Sequence, residues 1–304
     1  SVTQLQYVAP PVSINLTGSI DGAELIGGEI RDLTWTTSGA AVSNVDIWLG
    51  LDGHCHDTLI AENVPNTGVY TWEVPNESTN YGSLVIHPSN GGTEEGFGIT
   101  HDALKIIGHK VRYVSDQGSN TAPYETIATA AHNVGDALTA CTGVDTVLVA
   151  GGHYPGAITI SGPIAVFGGY SDDFSTRDPE TYVTSVTSGA TAVRFLSGSG
   201  NLGSVDGLVF EDCVAAISSD PVGGQHGGAI IVNGCSPVIS NCQFNNNRAA
   251  PGSGLGYGGS IIVIGGEPVI ENCSFNGNVA FKGGALAVFN DAHGLHVLPR
   301  IHTV

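Results

Sequence analysis

Three aspartates that lie close together in the chain have side chains suited to binding calcium. Asp172, Asp173 and Asp178 lie within the segment 171–180, after a β-rich run. Calcium takes roughly six to eight oxygen ligands from carboxylates and carbonyls. These aspartates are therefore the candidate metal ligands, and calcium is the only cofactor that the sequence suggests. The alternative is a solvated acidic loop without an ion, since Asp178 followed by Pro179 is also ordinary turn chemistry.

A second group with metal-binding residue types is His54-Cys55-His56. On a strand, His54 and His56 would share one face. Three consecutive residues nevertheless lack the C-x-x-C or H-x-x-x-H spacing of familiar metal sites. We therefore expect an exposed loop here rather than a metal site.

The elements that position such residues are indicated by an internal repeat. Residues 227–249 read GGAIIVNGCSPVISNCQFNNNRA, residues 258–280 read GGSIIVIGGEPVIENCSFNGNVA, and a third copy opens with GGALAV at Gly283. Each copy holds two short β-rich runs separated by Gly, Asn and Ser. Short strands that recur once per repeat predict turns that stack on copies of themselves, as in a parallel β-helix.

Stacking predicts columns of identical side chains. Asn241 should lie over Asn272 and form an amide ladder at the turn. Cys213, in the run VFEDC, is expected to precede Cys242 and Cys273 in one column of small buried residues. The offset from Cys213 to Cys242 is 29 residues rather than 31, so a turn of different length is expected there.

The repeats also resemble a known family. The GGA[I/L] start and the F-x-x-N end (residues 244–247 and 275–278) are similar to the repeat of the polymorphic outer-membrane proteins and related bacterial and archaeal surface β-helix proteins. Residues 113–134 and 166–184 resemble the opening and an early turn of secreted right-handed β-helix domains. The resemblance covers roughly residues 110–304 and implies a right-handed parallel β-helix. It says little about function, because this fold serves adhesins, surface coats and polysaccharide enzymes alike.

The preceding residues form a separate module. Trp35, Trp48 and Trp72 each lie in an alternating run, and turn residues separate these runs, which favours a β-sandwich of about seven strands. Residues 43–75 resemble the Ig-like domain of Ser/Thr-rich surface-anchored proteins, which implies a spacer or contact module.

The domain prediction has three parts: an N-terminal arm at 1–11, an Ig-like sandwich at 12–107 and a β-helix at 108–304. The fold class is all-β. One helix is expected, from Thr121 to about Leu138, because Pro123 suits a first helical turn and an apolar stripe follows it. This helix should cap the first end of the β-helix, where exposed strand edges would favour aggregation.

The net charge of the chain limits the classes of binding partner that are expected. Nine Lys and Arg residues face 28 Asp and Glu residues, which gives a formal net charge of −19. Such a surface disfavours nucleic acid and anionic membranes. The chain contains no Met and begins at Ser1, as expected after removal of a signal peptide, so a secreted or cell-surface location is predicted. Asn15 and Asn76 are candidate glycosylation positions.

The sequence gives little support for catalysis. A polysaccharide lyase of this fold needs a Lys or Arg base, and a glycosidase needs paired carboxylates on one strand face. Acidic residues of the second domain do not pair at the repeat spacing, and the Asp-Asp and Gly-His-Gly signatures of polygalacturonase-like enzymes are absent. We therefore expect no enzymatic activity and no catalytic residue.

The function predicted from the sequence is structural. The chain is expected to be an extracellular surface or filament subunit that associates head-to-tail with its own copies, through the arm and the uncapped end of the β-helix. The alternative is a carbohydrate-binding adhesin, and less favoured is a polysaccharide lyase or hydrolase.

Overall fold

The fold is nearly all-β: strands contain 50% and helices 4% of the residues that the structure describes. The computed structural model describes residues 12–18, 20–39, 41–54, 56–89, 98–100, 103–142, 144–195, 203–215, 225–249, 256–289 and 300–302. The chain divides into two compact units, unit 1 ending at His109 and unit 2 beginning at Lys110. The boundary predicted after residue 107 lies two residues earlier, and the predicted arm at 1–11 lies outside the described residues.

Unit 1 contains two sheets. Its strands are β1 (Ser13–Thr17), β2 (Glu24–Ile26), β3 (Ile30–Ser38), β4 (Asn44–Gly50), β5 (Thr58–Pro65), β6 (Val69–Glu73), β7 (Thr79–Pro88), β8 (Gly98–Ile99) and β9 (Leu104–Ile107). One sheet has the antiparallel order β1-β3-β6. The other has the order β2-β9-β7-β4-β5, with β8 also paired to β7 and with β2 parallel to β9.

Side chains from both sheets form one core in unit 1. Leu33, Trp35 and Trp72 come from the first sheet, and Ile47 and Leu84 come from the second; all are buried in the same cluster. Period-two alternation explains this arrangement, because every second side chain of a strand faces the same side. Trp48, by the same alternation, lies on the face opposite Ile47 and is partly exposed.

Unit 2 contains three parallel sheets. Its strands are β10 (Val111–Val114), β11 (Thr146–Ala150), β12 (Gly152–Pro155), β13 (Ile158–Ile160), β14 (Ala165–Tyr170), β15 (Thr184–Thr187), β16 (Val193–Phe195), β17 (Ser204–Asp206), β18 (Leu208–Glu211), β19 (Ile230–Asn233), β20 (Val238–Ser240), β21 (Gln243–Asn245), β22 (Ile261–Ile264), β23 (Val269–Glu271), β24 (Ser274–Asn276), β25 (Leu286–Phe289) and β26 (Arg300–His302).

The strands of unit 2 visit the three sheets in a fixed rotation. The sheets have the orders β10-β11-β14-β17-β20-β23-β26, β12-β15-β18-β21-β24 and β13-β16-β19-β22-β25. Among the described strands the chain passes through the three sheets five times in succession, starting at β11. One continuous apolar core, filled by Val, Ile and Phe side chains, runs through these turns. We call this array the parallel stack.

Residues that tolerate a left-handed backbone mark the corner between the first two sheets of the stack. Gly207, Asn241 and Asn272 occupy this corner in successive turns, with φ angles of 70°, 53° and 52°. Gly and Asn are the residues that enter this region most readily. Close approach selects glycine elsewhere in the repeat: a Cβ at Gly259 would lie 2.0 Å from the carbonyl oxygen of Gly284.

The predicted helix from Thr121 to Leu138 is wrong in extent. A 3-10 helix covers only Ile127–Thr129, and α1 covers Val134–Thr139. Backbone hydrogen bonds between residues 119–121 and 128–130 hold the intervening segment in a turn instead. The side chain of Asn133 caps α1 by accepting a hydrogen bond of 2.8 Å from the Asp136 backbone N–H.

The short helix α1 still packs where the longer one was expected. Its buried residues Val134, Ala137 and Leu138 join the core of unit 2, and α1 contacts β10, β11 and β13. No helix among the described residues is long and apolar enough to cross a membrane.

Candidate functional sites on the parallel stack

Identical side chains lie over one another in successive turns. The rings of Phe210 and Phe244 stack with centroids 5.2 Å apart and planes 15° apart. Phe244 and Phe275 stack at 4.8 Å and 9°. Each turn therefore presents a surface that fits another turn of the same kind.

The predicted cysteine column is wrong for Cys213. Phe210 pairs in register with Phe244, so Cys213 lies at the level of Asn247, and its backbone N–H donates to Asn247 Oδ1 at 3.0 Å. The prediction placed Cys213 over Cys242, 29 residues later. In this turn the residues that lie over one another are instead 34 positions apart. Cys242 and Cys273 occupy equivalent positions two residues before the stacked Phe244 and Phe275.

The described cysteines are free thiols and mostly buried. Cys213, Cys235, Cys242 and Cys273 are buried, and Cys141 is partly exposed. Burial raises the pKa of the Cys213 thiol to about 12, and burial also holds the pKa of Cys242 well above its usual value. These cysteines act as small core residues, as expected from the sequence.

The amide ladder lies at a different position from the one expected. Asn241 Nδ2 donates to Asp206 Oδ2 at 2.6 Å. The side chains that form the ladder are Asn247 and Asn278, with Nδ2 of Asn247 donating to Oδ1 of Asn278 at 3.1 Å. They are the last residues of the two F-x-x-N motifs, so this repeated motif is the sequence feature that indicates the position of the ladder.

Within the ranges that the structure describes, one end of the stack is less tightly packed than the interior. Among the described residues, β24 pairs only with β21 and β25 pairs only with β22. Phe244 is fully buried, whereas Phe275 is partly exposed and Val288 is 39% exposed. Nearby Val279 and Phe281 are 54% and 60% exposed. We call this surface the β24–β25 edge.

A polar groove lies beside the corner between the first two sheets. Its volume is about 420 Å³. Its lining includes Arg177, Asp206, Asn241, Gln243, Asn272 and Ser274. Residues in successive turns recur about 4.8 Å apart across a sheet, so Gln243 and Ser274, which are register partners, form a short polar row.

An ion pair forms one wall of the groove. Arg177 Nη2 contacts Asp206 Oδ1, and Arg177 Nε donates to the carbonyl oxygen of Gly168 at 2.9 Å. The guanidinium also lies over the rings of Phe167 and Tyr170, 5.3 and 5.7 Å from their centroids. These contacts fix the guanidinium in one position.

The Asp206 carboxylate is held in its ionised form. Burial would raise its pKa, but hydrogen bonds from Ser240, Arg177 and Asn241, together with the charge of Arg177, outweigh burial and lower the pKa. The hydroxyl of Ser240 donates to Asp206 Oδ2 at 2.5 Å. The repeat spacing gave no signal for this ion pair, because Arg177 and Asp206 are 29 residues apart and lie in separate runs.

The candidate calcium ligands are occupied by local hydrogen bonds. Asp173 Oδ1 accepts from the hydroxyls of Ser171 and Ser175 at 2.7 and 2.8 Å, and these bonds lower the pKa of Asp173 to about 2. Asp178 accepts from the Thr181 hydroxyl at 2.7 Å. Neither these aspartates with Asp172 nor any other His, Cys, Asp or Glu side chains of the described residues form a metal-holding group of three or more.

The remaining predicted positions lie in unit 1. Cys55 lies outside the described residues, and His54 Nδ1 lies 3.2 Å from Asp57 Oδ1. His56 faces His87 rather than His54. Asn15 is exposed on β1, whereas the side chain of Asn76 bonds both backbone groups of His109.

Comparison with known proteins adds no relative: no protein-family model, curated protein or solved structure matches the chain.

Proposed function

We propose that unit 2 is a right-handed parallel β-helix and that unit 1 is an Ig-like β-sandwich. The fixed rotation through three parallel sheets supports the first assignment, and connections between parallel strands are nearly always right-handed. Two sheets that share one core support the second.

The function we propose is that of an extracellular structural protein that associates with its own copies through the β24–β25 edge. The observation that carries this proposal is the stacking of like on like, from Phe210 through Phe244 to Phe275. A turn of the same repeat is the best-fitting cover for an exposed turn. In the part of the chain that the structure describes, one side of β24 and of β25 is unpaired and carries partly exposed apolar side chains, and such an edge is a ready template for pairing. The extracellular location rests on the resemblance of the repeats to surface proteins.

The end of the stack at which the chain enters it, near β10, affects how two copies can associate. There α1 packs against β10, β11 and β13, so this end offers a different surface from the β24–β25 edge. We therefore favour a two-fold contact between the β24–β25 edges of two copies, in which the edge strands of the two copies pair antiparallel rather than parallel. The head-to-tail filament expected from the sequence requires another acceptor, and the N-terminal arm predicted for that role, residues 1–11, lies outside the described residues.

The test uses the full chain. Sedimentation velocity over a range of concentrations should show self-association, and electron microscopy of the same samples should distinguish dimers from filaments. Val288→Lys places a charge at the edge and should shift the protein to monomers. Val69→Lys is the matched control, because Val69 is a similarly exposed valine (46%) in unit 1. Wild-type protein that stays monomeric at every concentration overturns the proposal, and filaments would favour the head-to-tail form.

A second candidate function is binding of a neutral oligosaccharide in the polar groove. Within the described residues the side chains of Gln243, Asn272 and Ser274 make no hydrogen bond, so they are available to sugar hydroxyls. Asp178, Glu180 and Asp206 outnumber the single Arg177 in the lining, which disfavours anionic sugars. Calorimetric titration with neutral oligosaccharides tests this. Gln243→Ala should weaken binding, Asn15→Ala in unit 1 should not, and absence of any heat of binding would exclude the site.

A further inference from the structure

Two histidine side chains from distant parts of unit 1 face one another at its surface. His56 precedes β5 and His87 lies near the end of β7. Their Nε2 atoms are 2.5 Å apart, and their ring centroids are 4.7 Å apart with planes 29° apart. The two residues are 31 positions apart in the chain, so no local motif joins them.

An aromatic residue borders this pair. The ring of Trp48 on β4 contacts the His56 ring edge-on, with centroids 5.5 Å apart and planes 69° apart. Asp46 pairs in register with His87 across β4 and β7. The site thus has the aromatic ring of Trp48 on one side and lies next to the strand that bears Asp46. Oδ1 of Asp46 accepts from the Asn63 N–H and the Ser89 hydroxyl at 2.6 Å each.

The chemistry of two facing imidazoles limits what they can do. A neutral imidazole carries one N–H and one lone pair, so this pair can share a single hydrogen bond. If both Nε2 atoms carry lone pairs, they repel unless a cation lies between them. Neutral imidazole nitrogen is the usual protein ligand for Zn²⁺ and Cu²⁺.

The distance is close to that of a two-histidine metal site. With metal–nitrogen distances of about 2.0–2.1 Å, two adjacent ligand nitrogens lie about 2.9–3.3 Å apart. Opening the pair by less than about 1 Å would reach this range. His56 lies before β5, outside any strand, so this opening need not disturb strand pairing.

We propose that His56 and His87 form a binding site for a divalent transition-metal ion, with Cu²⁺ preferred to Zn²⁺. The protein supplies two nitrogen ligands, and water completes the coordination. The net charge of −19 raises the local concentration of cations. Ca²⁺ and Mg²⁺ do not fit, because they require oxygen ligands. A metal bound here links the segment before β5 to β7 and stabilises unit 1 by mass action.

This site differs from the cluster considered in the sequence. The His54-Cys55-His56 segment would bind metal through consecutive residues, whereas the proposed site pairs His56 with His87 and leaves His54 with Asp57. A metal site on the consecutive segment requires His54 and not His87, whereas the proposed site requires His87 and not His54.

The experiment titrates the full chain with Zn²⁺ by calorimetry and with Cu²⁺ by tryptophan fluorescence. All titrations use a Cys55→Ser background, which removes that thiol as a ligand. Copper bound beside Trp48 should quench its emission. His56→Ala and His87→Ala should each weaken binding about tenfold or more, and His54→Ala, the matched control, should leave it unchanged. Electron paramagnetic resonance of the copper form should report two nitrogen ligands.

Three outcomes would overturn the proposal. The first is no saturable binding of either metal by the parent protein. The second is binding that neither His56→Ala nor His87→Ala weakens. The third is loss of binding in His54→Ala with full binding in His87→Ala, which would place the metal on the consecutive segment. Because the site lies in unit 1, its failure leaves the proposed association through the β24–β25 edge untouched.

Discussion

The side-chain oxygen of Asn278 accepts two hydrogen bonds from Asn247, one from its backbone N–H at 2.9 Å and one from its Nδ2 at 3.1 Å. Asn278 Nδ2 also donates to the Phe244 carbonyl at 2.9 Å. One turn earlier, Asn247 makes the two corresponding backbone contacts, accepting from the Cys213 N–H and donating to the Phe210 carbonyl, each at 3.0 Å. Asn247 is fully buried. The ladder therefore satisfies backbone groups that water cannot reach.

Replacing the inner amide should be costly. Asn247→Ala removes the partners of the Cys213 N–H and the Phe210 carbonyl, so we expect the free energy of unfolding to fall by about 2–4 kcal/mol. Urea unfolding followed by far-UV circular dichroism measures this, since all three Trp lie in unit 1. Asn276→Ala is the control, because Asn276 is exposed, and its effect should stay within about 0.5 kcal/mol. Equal effects would show that the ladder does not stabilise the stack.

The phenylalanine column should show a gradient along the stack. Phe244 packs between two rings, and Phe244→Ala should cost about 3–5 kcal/mol. Phe275 has a described ring partner on one side only and is partly exposed, so Phe275→Ala should cost clearly less. The same urea measurement compares them. An equal loss would mean that the β24–β25 edge is packed as tightly as the interior.

The ion pair in the groove predicts a dependence on acid. The folded-state pKa of Asp206 lies below its ordinary value of 3.8. Its contribution to stability is therefore fully present above about pH 4 and is lost as the pH falls through the lower, folded-state pKa. Asp206→Asn should lower the stability at neutral pH by about 1–3 kcal/mol and flatten the acid dependence below pH 4. Asp172→Asn, in an exposed position, is the comparison. An unchanged acid profile in Asp206→Asn would contradict this assignment.

A buried ion pair in the first turns makes a further prediction. Arg112 Nη2 lies 3.2 Å from Asp145 Oδ2, and both side chains are almost fully buried. Asp145 also accepts from the backbone N–H groups of Lys110 and Thr142, each at 2.9 Å. Asp145→Ala removes the buried carboxylate partner of the Arg112 guanidinium and should cost about 3–5 kcal/mol. Thermal unfolding measures the loss. Glu125→Ala removes the more exposed partner of Arg112 and should cost much less; a reversed order would refute the argument.

Part of this architecture could be predicted locally. Phe244 and Asn247 belong to a motif whose second copy follows 31 residues later, so the stacked partners Phe275 and Asn278 are evident from the repeat. The earlier turns differ in length from the 31-residue repeat. Val166 pairs with Val205, 39 residues later, and Val205 pairs with Ile239, 34 residues later. This difference in length explains the wrong prediction for Cys213. Matching the Cys of VFEDC to Cys242 gives a different register from the one in which the buried Phe210 stacks on Phe244.

The sequence alone determined the strand-rich composition, the repeating turns and their apolar core, because stacked turns need like residues at like positions and so repeat along the chain. The corner positions of Asn241 and Asn272 belong to the same pattern, although their left-handed backbone did not follow from it. Only the tertiary structure decided which polar groups meet. His56 meets His87, and Arg177 meets Asp206, because sheet register and loop course bring separate segments together, and such contacts have no fixed spacing in the chain.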